Sequence, residues 1–272
     1  MKNTAIVLAL CLNLFNLNGQ PEADAVLREG QLLYRMEKGS WFGTDLFLAY
    51  FRHRAGKAGG YLSYEGEDRR IYTIFFNGNN HDSLLVRFAF DSLPISIPVS
   101  IDTVNMTASR FESDLISMRQ NALDNIEEDK DNYYSFYKNT SLNLIPVISR
   151  KGKKVYIITG PQNAGVVLIG NDYLLNYDEH NNLVSRHKIH NSLIELSAGT
   201  SGDTSVVATM HSHVLSEIID PTDICTLLLY KDYITWKKHY VLSSDYVSIF
   251  DIEKQDLVIM KRKDWDKLST KQ

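Results

Sequence analysis

The stretch "RRIYTIFFNGNNHDSLLVRFAFDS", Arg69 to Ser92, decides the reading of the fold. Two runs, Ile71–Phe76 and Leu84–Phe90, are rich in β-branched and aromatic residues and flank Asn77-Gly78-Asn79-Asn80. Such runs suit a pleated, half-buried surface, and Asn and Gly tolerate the backbone of a tight turn. The pattern therefore predicts two antiparallel strands. "GGYLSYEG" just before them adds a third and makes a meander. "SLPISIPVSID" just after carries two prolines, which cannot donate to a ladder, so it reads as an edge or an irregular crossing.

Helical patterns flank this meander. Val26, Leu27, Gly30, Leu33 and Tyr34 recur at helical spacing and predict an amphipathic helix over Glu22–Lys38. Gly39 would end it, and Gly43-Thr44-Asp45 would start another, with Trp41 and Phe42 anchoring the turn between. Ser109 and Glu112 form a capping box, followed by a stripe of Phe111, Leu115, Met118, Ala122 and Ile126. "EEDKDN" closes that helix as a solvated charge run.

From Leu142 the pattern turns to short strands separated by turn residues. "SVVATMHSH" is a further strand, reached through Gly199-Thr200-Ser201-Gly202. A helix from about Thr222 to Lys237 follows, then the strands "HYVLSS", "YVSIFDIE" and "DLVIMKR". The fold class predicted is α+β, mostly antiparallel sheets with a few flanking helices. A soft boundary near Arg150 divides residues 20–150 from 151–272, and a core shared by both regions stays open.

The chain opens "MKNTAIVLALCLNLFNLNG", with one charge, an apolar stretch and a small residue at Gly19. This reads as a signal peptide over residues 1–19, and hence as an exported protein of the periplasm, cell envelope or extracellular space. Leu10 stands where a lipid-anchor signal at Cys11 needs a small residue, so the reading favours cleavage over lipidation. No later run is long enough to span a bilayer. A net charge of −4 with interspersed lysines and arginines gives no nucleic-acid footprint. Cys225 is the one cysteine beyond the leader, so no internal disulfide is expected; it reads as a small buried apolar residue.

Chemistry is concentrated in "ATMHSHVLSEIIDPTDICTLLLY", Ala208 to Tyr230. Strand residues two apart share a face, so His211 and His213 project together. Asp223 opens the next helix and can complete a three-ligand zinc site, leaving a position for water. Asp220, Pro221 and Asp223 are also good helix-start residues in their own right. His187 and His190, three apart, would face opposite ways and are read as surface or core histidines.

"MHSH", "PTDICTLLLY" and "HYVLSSDYVSIFD" together resemble the JAB/MPN (JAMM) metallopeptidase fold. The resemblance implies His211, His213 and Asp223 as zinc ligands and an upstream glutamate as general base. Glu195, in "NSLIELSAG", is the candidate for that base; Glu179 lies in a turn. The sequence departs from the family pattern in three places. Asp223 falls one position early, Pro221 stands where the family has serine, and Val214 replaces proline. A larger part of the chain, from "LNLIPVI" to "YVSIFD", is similar to a family of uncharacterised secreted bacterial proteins that carries no activity over.

The sequence thus favours an exported, non-catalytic binding or envelope-associated module, with a peptide or protein as a candidate ligand. The alternative is a zinc-binding JAMM-like peptidase or isopeptidase using His211, His213 and Asp223.

Overall fold

The structure, a computed structural model, describes residues 21–198 and 206–269. The expected signal peptide, Cys11 and the Gly199–Gly202 connection lie outside the described residues. The chain is α+β. Helix α1 (Pro21–Tyr50) leads through a short 3-10 turn (Arg52–Lys57) into the meander β1 (Ala58–Glu65), β2 (Ile71–Asn77), β3 (Leu84–Phe90) and β4 (Ser100–Asp102). These four strands pair antiparallel in that order. β4 is a three-residue edge strand, as the two prolines before it require. Helix α2 (Arg110–Glu127) follows, with both halves of the Ser109/Glu112 capping box in place.

Next come β5 (Thr140–Ser149), β6 (Gly152–Pro161), β7 (Val166–Gly170), β8 (Tyr173–Tyr177), β9 (Leu183–Lys188) and β10 (Leu193–Ser197). β5-β6-β8-β9 form one antiparallel sheet, while β7 pairs with β10. The last part is β11 (Ala208–Ser212), α3 (Pro221–Leu229), β12 (Lys238–Leu242), β13 (Tyr246–Asp251), β14 (Asp256–Lys261) and α4 (Arg262–Ser269). β11 and β12 pair in parallel through the α3 crossover, and β12-β13-β14 continue antiparallel. No helix among the described residues is long and apolar enough to cross a membrane.

Two helix expectations are corrected. α1 runs unbroken through Gly39 and Gly43. A Cβ at Gly39 would meet Ile71 Cγ2 at 2.7 Å, and one at Gly43 would meet Thr73 Cγ2 at 2.6 Å. The glycines let the helix lie against β2, so they serve packing rather than termination. Trp41, inside this helix, meets Tyr230 edge-on at 5.7 Å instead of anchoring a turn. α3 ends at Leu229, not near Lys237. Beyond it the Thr235 N–H donates to Ala198 O and the Lys237 N–H to Val207 O, and Trp236 is buried.

One apolar cluster takes in Ala23, Leu33 and Phe47 of α1, Phe88 of β3, Ile158 of β6, Leu227 of α3 and Ile259 of β14. The position near Arg150 falls in the tight turn between β5 and β6, so hairpin pairing crosses it. α2 touches two further clusters. Leu115 and Ile116 pack with Leu62, Ile74 and Phe76, while Met118, Ala122 and Ile126 pack with Val155, Ile157 and Tyr173. Gly30 of α1 lies under Ile224 of α3, where a Cβ would come within 2.6 Å of Ile224 Cβ. That close approach fixes α3, and with it Asp223, against the core.

Candidate metal centre

β11 brings His211 and His213 to one side, as strand alternation requires. His213 lies one residue past the strand, yet its N–H donates to Leu242 O at 2.8 Å, so the parallel pairing with β12 reaches it. Asp223 sits in the first turn of α3. Its Oδ2 accepts the Asp220 backbone N–H at 3.0 Å, the capping bond that the helix start predicts. Its Oδ1 turns the other way, toward the histidines.

A fourth residue joins them. His190 follows β9, where the Ile189 N–H donates to Asp172 O. His190 Nε2 lies 3.2 Å from Asp223 Oδ1 and 3.0 Å from His213 Nε2. His213 Nε2 lies 3.2 Å from Asp223 Oδ2, and His211 Nε2 lies 3.8 Å from Asp223 Oδ1. One ligand atom from each of the four falls within 4.8 Å of the other three, and all four residues are buried. Tetrahedral zinc with bonds of about 2.0–2.1 Å keeps its ligand atoms roughly 3.3 Å apart. The four separations, 3.0–3.8 Å, fall around that figure, within a group whose ligand atoms span up to 4.8 Å.

His211 Nε2 and Asp223 Oδ1 are buried with no hydrogen-bond partner. Such orphans are costly in a folded protein. Here both face the point on which His190 and His213 also converge, so a cation bound between the four would satisfy both at once. The group can hold a metal ion.

The outer nitrogens of the rings face polar groups as well. His190 Nδ1 lies at ion-pair distance, 3.5 Å, from Asp172 Oδ2, without a hydrogen bond. His213 Nδ1 lies 2.9 Å from Ile218 O and 2.7 Å from Ser216 Oγ, which in turn donates to Asp220 Oδ2. His211 Nδ1 lies 2.7 Å from His239 Nε2, and His239 Nδ1 lies 2.8 Å from Thr209 Oγ1. All three rings therefore point Nε2 at the centre.

The electrostatics suit a cation. Burial tends to raise the Asp223 carboxyl, but the charge of His190 and the neighbouring His211 outweigh it and hold Asp223 well below the usual carboxylate range. Burial alone would lower His190; Asp223 and Asp172 overcome it and raise its pKa to about 11. Burial lowers His211 to about 4 and His239 to about 3, so both are neutral at pH 7. A proton on His190 thus stands in for the cation.

The structure brings together His211, His213 and Asp223. Glu195 is not with them. It is exposed on β10, while its neighbour Ile194 lines the cleft that reaches the histidines from Ile169, Ile189, Val214 and Leu215. Glu179 is exposed in the turn between β8 and β9. His190 is the residue that sequence reading missed. Its spacing from His187 points to no shared site, and only the turn after β9 aims it inward; His187 stays exposed beside Ser185. Cys225 is fully buried and its thiol is pushed up by burial, as befits an inert packing residue.

No family model, curated protein or solved structure matches this chain.

Proposed function

We propose that this is an exported, non-catalytic protein that holds one zinc ion on His190, His211, His213 and Asp223, and that the ion serves as a structural tie. The observation that carries this reading is the buried His211 Nε2, without a hydrogen-bond partner, beside Asp223 Oδ1, which the His190 ring approaches at ion-pair distance, both aimed at one point. Three imidazoles and one carboxylate, with no thiolate, form a donor set suited to zinc. Four protein ligands complete a tetrahedron, which is the pattern of a structural site; a catalytic site keeps one position for water.

The tie would join three parts of the chain: the segment after β9, strand β11 and helix α3. The expected mature protein has only Cys225 and forms no internal disulfide. A metal clip supplies the cross-link that disulfides give other exported proteins. The export part of the proposal rests on the apolar leader over residues 1–19. The JAMM-like hydrolase stands as the lesser reading. His190 would fill the position that hydrolytic zinc gives to water, and neither Glu195 nor Glu179 offers a base beside the histidines.

Thermal unfolding with and without a chelator tests the proposal. Zinc at a thousandfold excess over its Kd stabilises by about 4 kcal/mol, which for a chain of this size raises Tm by on the order of 10 °C. We expect that shift in the wild-type chain and none in Asp223→Ala or His190→Gln. An equal Tm for the wild-type chain with and without zinc would overturn it.

A further inference from the structure

We infer that His239 is a positioning residue for the metal, a buried imidazole that accepts the proton on His211 Nδ1 and so fixes Nε2 as the atom that His211 offers. The inference rests on the zinc reading above and adds a residue outside the ligand set.

The register makes the arrangement. In the parallel pairing of β11 with β12, Thr209 stands opposite His239 and His211 opposite Val241. Thr209, His211 and His239 then share one side, with His239 between the other two. His211 Nδ1 lies 2.7 Å from His239 Nε2, and His239 Nδ1 lies 2.8 Å from Thr209 Oγ1. His239 itself is wholly buried, so water cannot replace either contact.

Proton counting then sets the direction. A neutral imidazole carries one N–H. If His211 Nε2 binds metal, the proton is on Nδ1 and must be donated to His239 Nε2. His239 Nε2 is then an acceptor, so its proton sits on Nδ1 and is donated to Thr209 Oγ1. His213 reaches the same result more simply, since the Ile218 carbonyl behind it can only accept from a ring N–H, and behind His190 the Asp172 carboxyl, 3.5 Å from Nδ1, draws a proton to that nitrogen. Only His211 is oriented by a group whose own tautomer must also be set; the metal on His211 Nε2 sets it, and Thr209 Oγ1, which can accept as well as donate, receives the His239 Nδ1–H. Partners of this kind orient metal ligands, and their loss typically weakens binding 10–100-fold.

The test is zinc affinity by competition with a chelating dye, together with long-range 1H–15N spectra of the histidine rings in the full zinc-loaded chain. His239→Phe keeps a ring but removes the acceptor, and we expect zinc binding to weaken roughly 10–100-fold. His239→Gln restores an acceptor and should recover most of that loss, which a purely space-filling role would not produce. In the wild-type spectrum, His211 should carry its proton on Nδ1 and His239 on Nδ1. Wild-type affinity in His239→Phe, or a spectrum with His211 bound through Nδ1, overturns the inference. The spectrum decides even if His239→Phe does not fold. A wild-type chain that binds no zinc overturns the metal reading itself, and does so before any His239 variant is made.

Discussion

The Nε2 atoms of His190 and His213 stand 3.0 Å apart, although 23 positions separate the two residues in sequence. Two buried ring nitrogens at that distance share either a proton or a metal ion. Asp223, within 3.2 Å of both, favours whatever positive charge occupies the gap.

It follows that His190 should matter as much as the His-x-His pair. His190→Ala is expected to lose zinc binding to the same degree as His211→Ala, while His187→Ala, on the exposed face of β9, leaves it unchanged. Zinc titrations of the three variants check this. Tight binding in His190→Ala would reduce the site to three ligands and reopen the hydrolytic reading.

Zinc uptake should release a proton. With His190 raised to about 11 by Asp223 and Asp172 against the effect of burial, its ring is charged at pH 7 and must lose a proton before Nε2 can bind metal. His211 and His239, lowered by burial to about 4 and 3, have none to lose. Affinity should therefore fall as pH falls, by about tenfold per unit near neutrality. Calorimetry in buffers of different ionisation enthalpy should give about one proton released per ion at pH 7. A value near zero would contradict the assignment of charge to His190.

Gly30→Ala tests the packing that holds α3. Alanine gains up to about 1 kcal/mol of helix propensity over glycine. Against that, the new Cβ would lie 2.6 Å from Ile224 Cβ and 3.0 Å from the Pro221 carbonyl oxygen. Backbone cannot yield as a side-chain tip does, so the clash should win, with a net loss of about 1–3 kcal/mol. Gly56→Ala, with nothing within 4 Å, is the neutral control. Urea unfolding of both variants separates the two effects.

Glu37 should make stability depend on pH away from the metal centre. Burial in α1 raises its carboxyl from 4.5 to about 7, against the opposing hydrogen bond from Asn143 Nδ2 at 3.0 Å. Between those values the folded chain binds more protons than the unfolded one, so stability falls as pH rises from about 4.5 to about 7 and stays low above. The change is at most about 3 kcal/mol. Glu37→Gln should remove it and be the more stable form at pH 8. Denaturant midpoints for both chains at pH 5 and pH 8 supply the comparison.

Much of this was legible in the sequence where a local rule governed the outcome. The Asn77–Asn80 turn, the Ser109/Glu112 box and the side shared by His211 and His213 all follow from short-range geometry. Gly39 and Gly43 misled because a glycine that ends a helix and one that admits a neighbouring strand look alike until Ile71 and Thr73 are in place. His190 was hidden for a related reason. Its inward turn depends on pairing with Asp172 across the β7–β8 corner, and no periodicity in "SRHKIHNS" encodes that contact. Asp172 and His239, which face the outer nitrogens, are likewise products of sheet register.

The most direct measurement is the metal content of the mature, untagged chain by elemental mass spectrometry, beside His190→Ala and Asp223→Ala. The account predicts about one zinc per wild-type chain and almost none in either variant, the proportion expected when four protein ligands share one ion. A wild-type chain that stays metal-free after zinc is supplied at neutral pH would contradict it, and the four residues would then be a buried ion-pair network closed by a proton on His190.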